Sequence, residues 1–275
     1  MLSLPLAEGM PRALFTFYRS YLTAADTAPV DALIAALRRK GFAAYGVFVT
    51  SLKAAVAMDW LRAHLAESPP AIIVNATAFS AIGDGGTTPF DDAPCPVLQV
   101  ALSTARREDW VESLRGLSPG DLAMHVVLPE VDGRLFAGVV SFKSAAERDP
   151  DLQFAHLAHR PDSERVEAVA ARAASWLRLA DKPPGERQLA IVLSNYPGRT
   201  HQIAHAVGLD ALASVEALLS DLGEVGIDVR PESAIGELLL THIPPWTSRE
   251  DVIAEAKAEF SGPVHAVSPG DVFTV

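Results

Sequence analysis

Apolar residues along this chain gather in short runs separated by polar, turn-forming segments. Residues 13–17, 44–50, 71–76, 96–102 and 123–128 read as strands. The first four are continuous rather than alternating, which is the pattern of strands covered on both faces of a parallel sheet. Helical periodicity fills the gaps at 29–40 and 54–67; in the second, Val56, Trp60 and Ala63 share a face, with Leu65 beside it. Asp132-Gly133-Arg134, between Leu128 and the apolar run Leu135–Phe142, predicts a β-hairpin. Residues 144–163 are polar and predict a loop in which His156 and His159 are solvated. A helix follows over 164–180, with Ser163 at its N-cap and Val166, Val169, Ala170, Ala173 and Leu177 on its apolar face. Asp181-Lys182-Pro183-Pro184-Gly185 stops it.

One phrase is repeated. Leu14–Phe17 breaks into the polar tip Tyr18-Arg19-Ser20, a helix runs through Val30–Ile34, and Gly41 opens the next apolar run. Leu189–Leu193 breaks into Ser194-Asn195-Tyr196-Pro197, a helix over 209–222 runs through Val215–Leu219, and Gly226 plays the part of Gly41. A strand near 227–230 and helices over 232–242 and 248–259 complete the pattern. The fold class predicted is α/β, with doubly wound, mostly parallel sheets in two repeated Rossmann-like units. The first spans 1–162 and carries a β-hairpin extension, a helix and Pro-rich linker span 163–186, and the second, incomplete in strands, spans 187–275. Such units place functional loops at the carboxyl ends of their strands.

Charge narrows the partners. Of 275 residues, 34 are acidic and 23 basic, for a net charge of -11, a field that repels nucleic acid and anionic membrane. No stretch is long and apolar enough to span a bilayer. The amino terminus carries Glu8 and Pro11 within its apolar run and lacks a basic segment, so no signal peptide is expected. The single cysteine, Cys95, reads as a small buried hydrophobe, and a cytoplasmic protein is expected. Gly83-Asp84-Gly85-Gly86 lacks the Gly-Lys-Ser/Thr ending of a phosphate loop. If ATP is needed, its hydrolysis falls to a partner protein.

Candidate chemistry sits at strand ends. Tyr18 and Arg19 follow the first strand; Arg19 either grips an anionic group or pairs with Asp26 or Asp31. Asn75 and Thr77, in Asn75-Ala76-Thr77-Ala78-Phe79-Ser80, suit ligand contact or capping equally. Asn195, Tyr196 and Arg199 form the sharpest polar loop. His201 and His205 follow, four apart, a spacing that on a helix would begin a metal site. Asp210 is a third ligand or the N-cap of the next helix. The pattern alone is equally that of a non-enzymatic module in which two lobes close on a small molecule.

In order along the chain, Phe17-Tyr18-Arg19-Ser20-Tyr21-Leu22, Asn75–Ser80, Pro96–Val100, Gly116-Leu117-Ser118-Pro119-Gly120-Asp121 running on to Leu128-Pro129-Glu130-Val131-Asp132-Gly133-Arg134, and Ala190–Arg199 resemble the large subunit of aerobic cobaltochelatase. The related large subunit of magnesium chelatase shares the scheme, and these words sit closer to the cobalt branch. The resemblance covers roughly residues 13–230. It implies ATP-dependent insertion of cobalt, the substrate ion, into hydrogenobyrinic acid a,c-diamide during cobalamin synthesis. A large subunit binds the corrinoid precursor, and partner ATPase subunits supply the motor. Family members are several times longer, so the chain reads as a portion that is inactive alone. The family is richer in Asn and Gly where this chain has Thr200–His205. On this view Arg19 and Arg199 grip the ring's carboxylates, with Tyr18, Asn75, Thr77, Asn195 and Tyr196 around them, and His201 or His205 takes protons or holds metal.

Overall fold

The computed structural model describes residues 9–83, 85–145, 151, 153, 155, 157–189, 191, 210–229, 238–240, 248–259 and 263–266. The chain divides into two compact units, Met1–Arg178 and Leu179–Val275.

The first unit is built on a six-stranded sheet. In chain order its elements are β1 (Arg12–Tyr18), α1 (Arg19–Thr23), α2 (Ala28–Arg39), β2 (Ala43–Val49), α3 (Ala55–Glu67), β3 (Ile72–Asn75), β4 (Val97–Leu102) and α4 (Arg107–Glu112). There follow α5 (Pro119–Leu122), a π-helical turn (Ala123–Val127), α6 (Leu128–Val131), β5 (Leu135–Ala145), β6 (Leu157–Pro161) and α7 (Ser163–Asp181). The strand order is β2-β1-β3-β4-β5-β6. Neighbours from β2 to β5 are parallel, and β6 runs antiparallel to β5. The order reverses at β1, so the connections leaving β1 and β3 diverge to opposite sides. A crevice opens between their carboxyl ends.

Both faces of the sheet are buried, as continuous apolar strands require. On one face Phe15, Phe17, Val74, Val100 and Val140 meet Val30, Leu33 and Leu37 of α2 and Val166, Val169 and Ala173 of α7. On the other Leu14 and Ile73 meet Leu61 and Leu65 of α3. Gly41 ends α2 at φ +91, a conformation costly for any residue with a Cβ, and turns the chain directly into β2.

The α/β class and the mostly parallel sheet agree with the pattern of the sequence; several elements differ. Residues 123–128 are not a strand. Ser118 caps α5 by accepting a bond from Asp121 N, and the chain stays wound through the π turn into α6. Short apolar runs do not distinguish strand from helix, and here Val127, Leu128 and Val131 line the exposed side of a helix. Asp132-Gly133 therefore closes α6, with Gly133 at φ +75, and makes no hairpin; β5 runs parallel to β4. The antiparallel pair is β5 with β6, inside the segment expected to be loop. In α3 the inward face is Leu61 and Leu65; Val56 is 84% exposed. The N-cap of α7 is Asp162, whose carboxylate accepts from Arg165 N at 3.2 Å, and Ser163 is the first helical residue.

The second unit contains α8 (Ala211–Glu224), α9 (Arg249–Glu259) and a parallel pair, β7 (Leu238–Leu240) with β8 (Val264–Ala266). Asp210 caps α8, accepting from Ala213 N at 3.0 Å. Leu238–Leu240, expected within a helix, is a strand, and Ile227–Val229 belong to none. Most of the expected strand Leu189–Leu193 lies outside the described residues.

Candidate functional site

The carboxyl edge of the first sheet is polar in its interior. The register sets Thr16 of β1 against Asn75 of β3, and Asn75 against Gln99 of β4. This row is fully buried. An unpaired polar group there would cost about 1–3 kcal/mol, and the side chains of Thr16, Asn75 and Gln99 are all paired. Thr16 donates its hydroxyl to Asn75 Oδ1 at 2.5 Å, and Asn75 donates to Gln99 Oε1 at 2.7 Å and to Thr77 O at 3.1 Å. The Thr77 hydroxyl donates to Asn75 Oδ1 at 3.0 Å, and Gln99 donates to Thr77 O at 3.0 Å. Arg134 closes the row, donating to Gln99 Oε1 at 3.2 Å. Asn75 and Thr77 are thus engaged with protein partners, and they shape the strand ends from beneath.

Arg134 also forms a buried ion pair with Asp132. Burial lowers the Arg134 pKa, and the Asp132 carboxylate opposes that. Together they fix the loop after β3: Arg134 donates to Phe79 O at 3.1 Å, while Asp132 accepts from the Ser80 hydroxyl at 2.6 Å and from Ala81 N at 2.5 Å. Phe79 N donates to Met124 O in the π turn at 2.8 Å. Between these anchors Phe79 adopts φ +65, in the left-handed region where a bulky side chain is an outlier. The residue is 49% exposed.

Above this loop lies a crevice of about 250 Å³ lined by Tyr18, Ser51, Leu52, Lys53, Ala78, Phe79 and Ser80. It occupies the switch point between β1 and β3. The Tyr18 hydroxyl donates to Ala78 O at 3.0 Å, and burial raises its pKa against that bond and the nearby Arg134 charge. Arg19, next to Tyr18, is exposed and free of ion pairs among the described residues. The carboxylates expected to compete for it are taken: Asp26 by His159 and Lys143, and Asp31 by the Thr27 hydroxyl. A second cavity, about 300 Å³, is lined by Thr88, Cys95, Val97 and Arg134 among others, and lies toward the amino ends of β4 and β5. Burial pushes the Cys95 thiol up to about 11, so it is no nucleophile.

A buried imidazole–carboxylate pair was invisible in the sequence. His159, expected to be solvated, is 4% exposed. Its backbone N donates to Asp26 Oδ1 at 2.8 Å, and its Nδ1 lies 2.7 Å from Asp26 Oδ2. Tyr21 packs edge-on at 5.5 Å, its hydroxyl pushed up to about 12 by burial and by the Asp26 charge. Burial also lowers the His159 pKa, with Asp26 opposing; burial alone would raise that of Asp26, but the bonds from His159 bring it below the usual carboxylate range. Neutral His159 therefore donates Nδ1–H to the carboxylate, and its Nε2 is buried without a partner among the described residues, as is Nδ1 of His125 in the π turn. The pair spans 133 positions, and no local spacing announces it.

Asn195, Tyr196, Arg199, His201, His205 and His156 lie outside the described residues. Among the described residues no group of three or more His, Cys, Asp or Glu side chains is arranged to hold a metal ion.

Residues 5–260 match the sequence profile of the family described as CobN/Magnesium Chelatase. The chain belongs to this family. The aerobic cobaltochelatase subunit CobN of a Sinorhizobium species is 39% identical over 84% of the chain, and that of Pseudomonas aeruginosa is 35% identical over 86%. The chloroplastic magnesium-chelatase subunit ChlH of rice is 26% identical over 89%. Among solved structures, the catalytic subunit of cobaltochelatase from Mycobacterium tuberculosis superposes with a TM-score of 0.63 at 29% identity, over 81% of this chain and 19% of that one. The chain spans 18% and 19% of the two CobN subunits. This CobN/magnesium chelatase chain thus corresponds to a minor portion of its relatives, and of the residues expected at the site only Tyr18 lines the switch-point crevice.

Proposed function

We propose that this chain contributes a tetrapyrrole grip to a cobaltochelatase that inserts cobalt, its substrate ion, into hydrogenobyrinic acid a,c-diamide in the cytoplasm. ATP is hydrolysed by its partners. The observation that carries the reading is Arg19, an exposed cation without an ion pair among the described residues, next along the chain to Tyr18 of the switch-point crevice, in a chain whose net charge is -11. In so acidic a protein, an accessible arginine at the place where open α/β sheets bind ligands suits a carboxylate-bearing ring. Asn75 and Thr77 enter as positioning residues beneath the crevice. Arg199, with Asn195 and Tyr196, is the second grip, and His201 and His205 are the candidate proton acceptors or transient metal ligands. Metal entry requires that ring N–H protons leave and that the ion shed water, and a base of modest pKa serves both.

The identity to the two CobN subunits favours cobalt over magnesium; the rice ChlH match keeps the magnesium reading as the alternative. The test is an absorption titration of the chain with hydrogenobyrinic acid a,c-diamide. A saturable band shift, weakened about tenfold in Arg19→Ala and in Arg199→Ala, is expected. No saturable shift, or affinities unchanged in both variants, overturns the reading.

A further inference from the structure

Among the described residues three non-glycine residues have positive φ, Ala25, Phe79 and Gln153, and of these only Phe79 is aromatic. Asn and Asp enter this region because their side chains bond locally; phenylalanine has no such compensation. Its conformation is imposed from outside. Two buried charged residues and the π turn hold the backbone on both sides of the phenyl-bearing carbon. A side chain so fixed would ordinarily fill the core, yet this one stands half exposed at the rim of the crevice. Strain maintained by its surroundings at a ligand-binding position points to function.

The opposite wall ends in Lys53. Its ammonium is exposed and in no ion pair among the described residues, and its backbone is held by the Ser51 hydroxyl at 3.1 Å. Tyr18, Leu52 and Phe79 give the crevice an apolar lining. At about 250 Å³ it is smaller than the roughly 300–1,000 Å³ of sites that enclose a whole small molecule. It fits a projecting part. An apolar throat with a cation at its rim matches a short aliphatic arm ending in a carboxylate.

We propose that this crevice is a subsite for one carboxylate-ended side arm of the tetrapyrrole, with Lys53 binding the carboxylate and the Phe79 ring packing against the arm and the adjoining edge of the macrocycle. The proposal rests on the tetrapyrrole-binding reading above. Its test compares two probes: hydrogenobyrinic acid a,c-diamide, and the same ring with its remaining carboxylates converted to primary amides. The unmodified chain binds the acid form at least tenfold more tightly. Lys53→Gln weakens the acid form about tenfold and leaves amide binding unchanged, so the acid preference narrows by that factor. Phe79→Gly weakens both probes about tenfold without lowering the melting temperature, because glycine adopts φ +65 freely. Phe79→Leu, which keeps bulk and loses the flat face, falls between. An acid preference undiminished in Lys53→Gln, or unchanged binding in both Phe79 variants, overturns the subsite while ring binding stands. Failure of the unmodified chain to bind either probe overturns both.

Discussion

Removing the Asp132 carboxylate probes the framework that holds the crevice. Asp132 and Arg134 are 1% and 2% exposed, so Asp132→Ala leaves a guanidinium buried without its counter-charge and deprives the Ser80 hydroxyl and Ala81 N–H of their acceptor. Breaking one side of a buried pair costs about 3–5 kcal/mol. Against a typical domain stability of about 5–15 kcal/mol, that is a large fraction. At about 2–4 °C per kcal/mol for a unit of this size, the melting temperature falls by roughly 6–20 °C. Urea unfolding followed by tryptophan fluorescence reads the change, since Trp60, Trp110 and Trp176 all lie in the first unit. The double substitution Asp132→Leu/Arg134→Met, which removes both charges, recovers part of the loss, because an apolar pair carries no desolvation cost while the Ser80 hydroxyl and Ala81 N–H stay without their acceptor. A loss below about 1 kcal/mol in Asp132→Ala, or a double variant as unstable as the single, would show that the pair is hydrated and that Phe79 is held by something else.

Burial lowers the folded-state pKa of His64, His125 and His159 beneath the unfolded value of 6.5, so below that pH the unfolded chain binds more protons. Stability is therefore full above pH 6.5 and declines as pH falls; a urea midpoint constant from about pH 7.5 to 5 would refute this, and His159→Gln should flatten the slope. Asn75→Ala orphans the Thr16 and Thr77 hydroxyls and takes a donor from the Gln99 amide oxygen, a cost of about 1–3 kcal/mol in the same urea assay; a smaller loss would mean that water replaces the amide. With its thiol pushed up to about 11 and half-buried, Cys95 reacts with iodoacetamide at neutral pH far more slowly in the native chain than in urea; equal rates would contradict the burial.

The strands β1 to β4 were legible because burial on both faces demands unbroken apolar runs, and α2 because Val30, Leu33 and Leu37 recur at helical spacing. Tyr18 and Arg19 were legible as a strand-end tip. Three features were not. Residues 123–128 are apolar enough for a strand, and only the Ser118 cap and the anchoring of Asp121 beside Ser103 and Thr104 decide for a helix. Asn75 and Thr77 show as polar residues at a strand end, but their partners Thr16 and Gln99 appear only once the register is known. Nothing in the residues flanking Phe79 signals positive φ, and the groups that impose it come from residues 124, 132 and 134, far along the chain.

Amide hydrogen exchange with hydrogenobyrinic acid a,c-diamide present locates the ring directly. Slowed exchange is predicted at residues 18–23, 51–53 and 78–81, around the switch point, with residues 88–97 unchanged. Protection confined to 88–97 and 132–135, at the amino-end cavity, or no protection in the first unit at saturating ring, would contradict the assignment of the carboxyl edge as the grip.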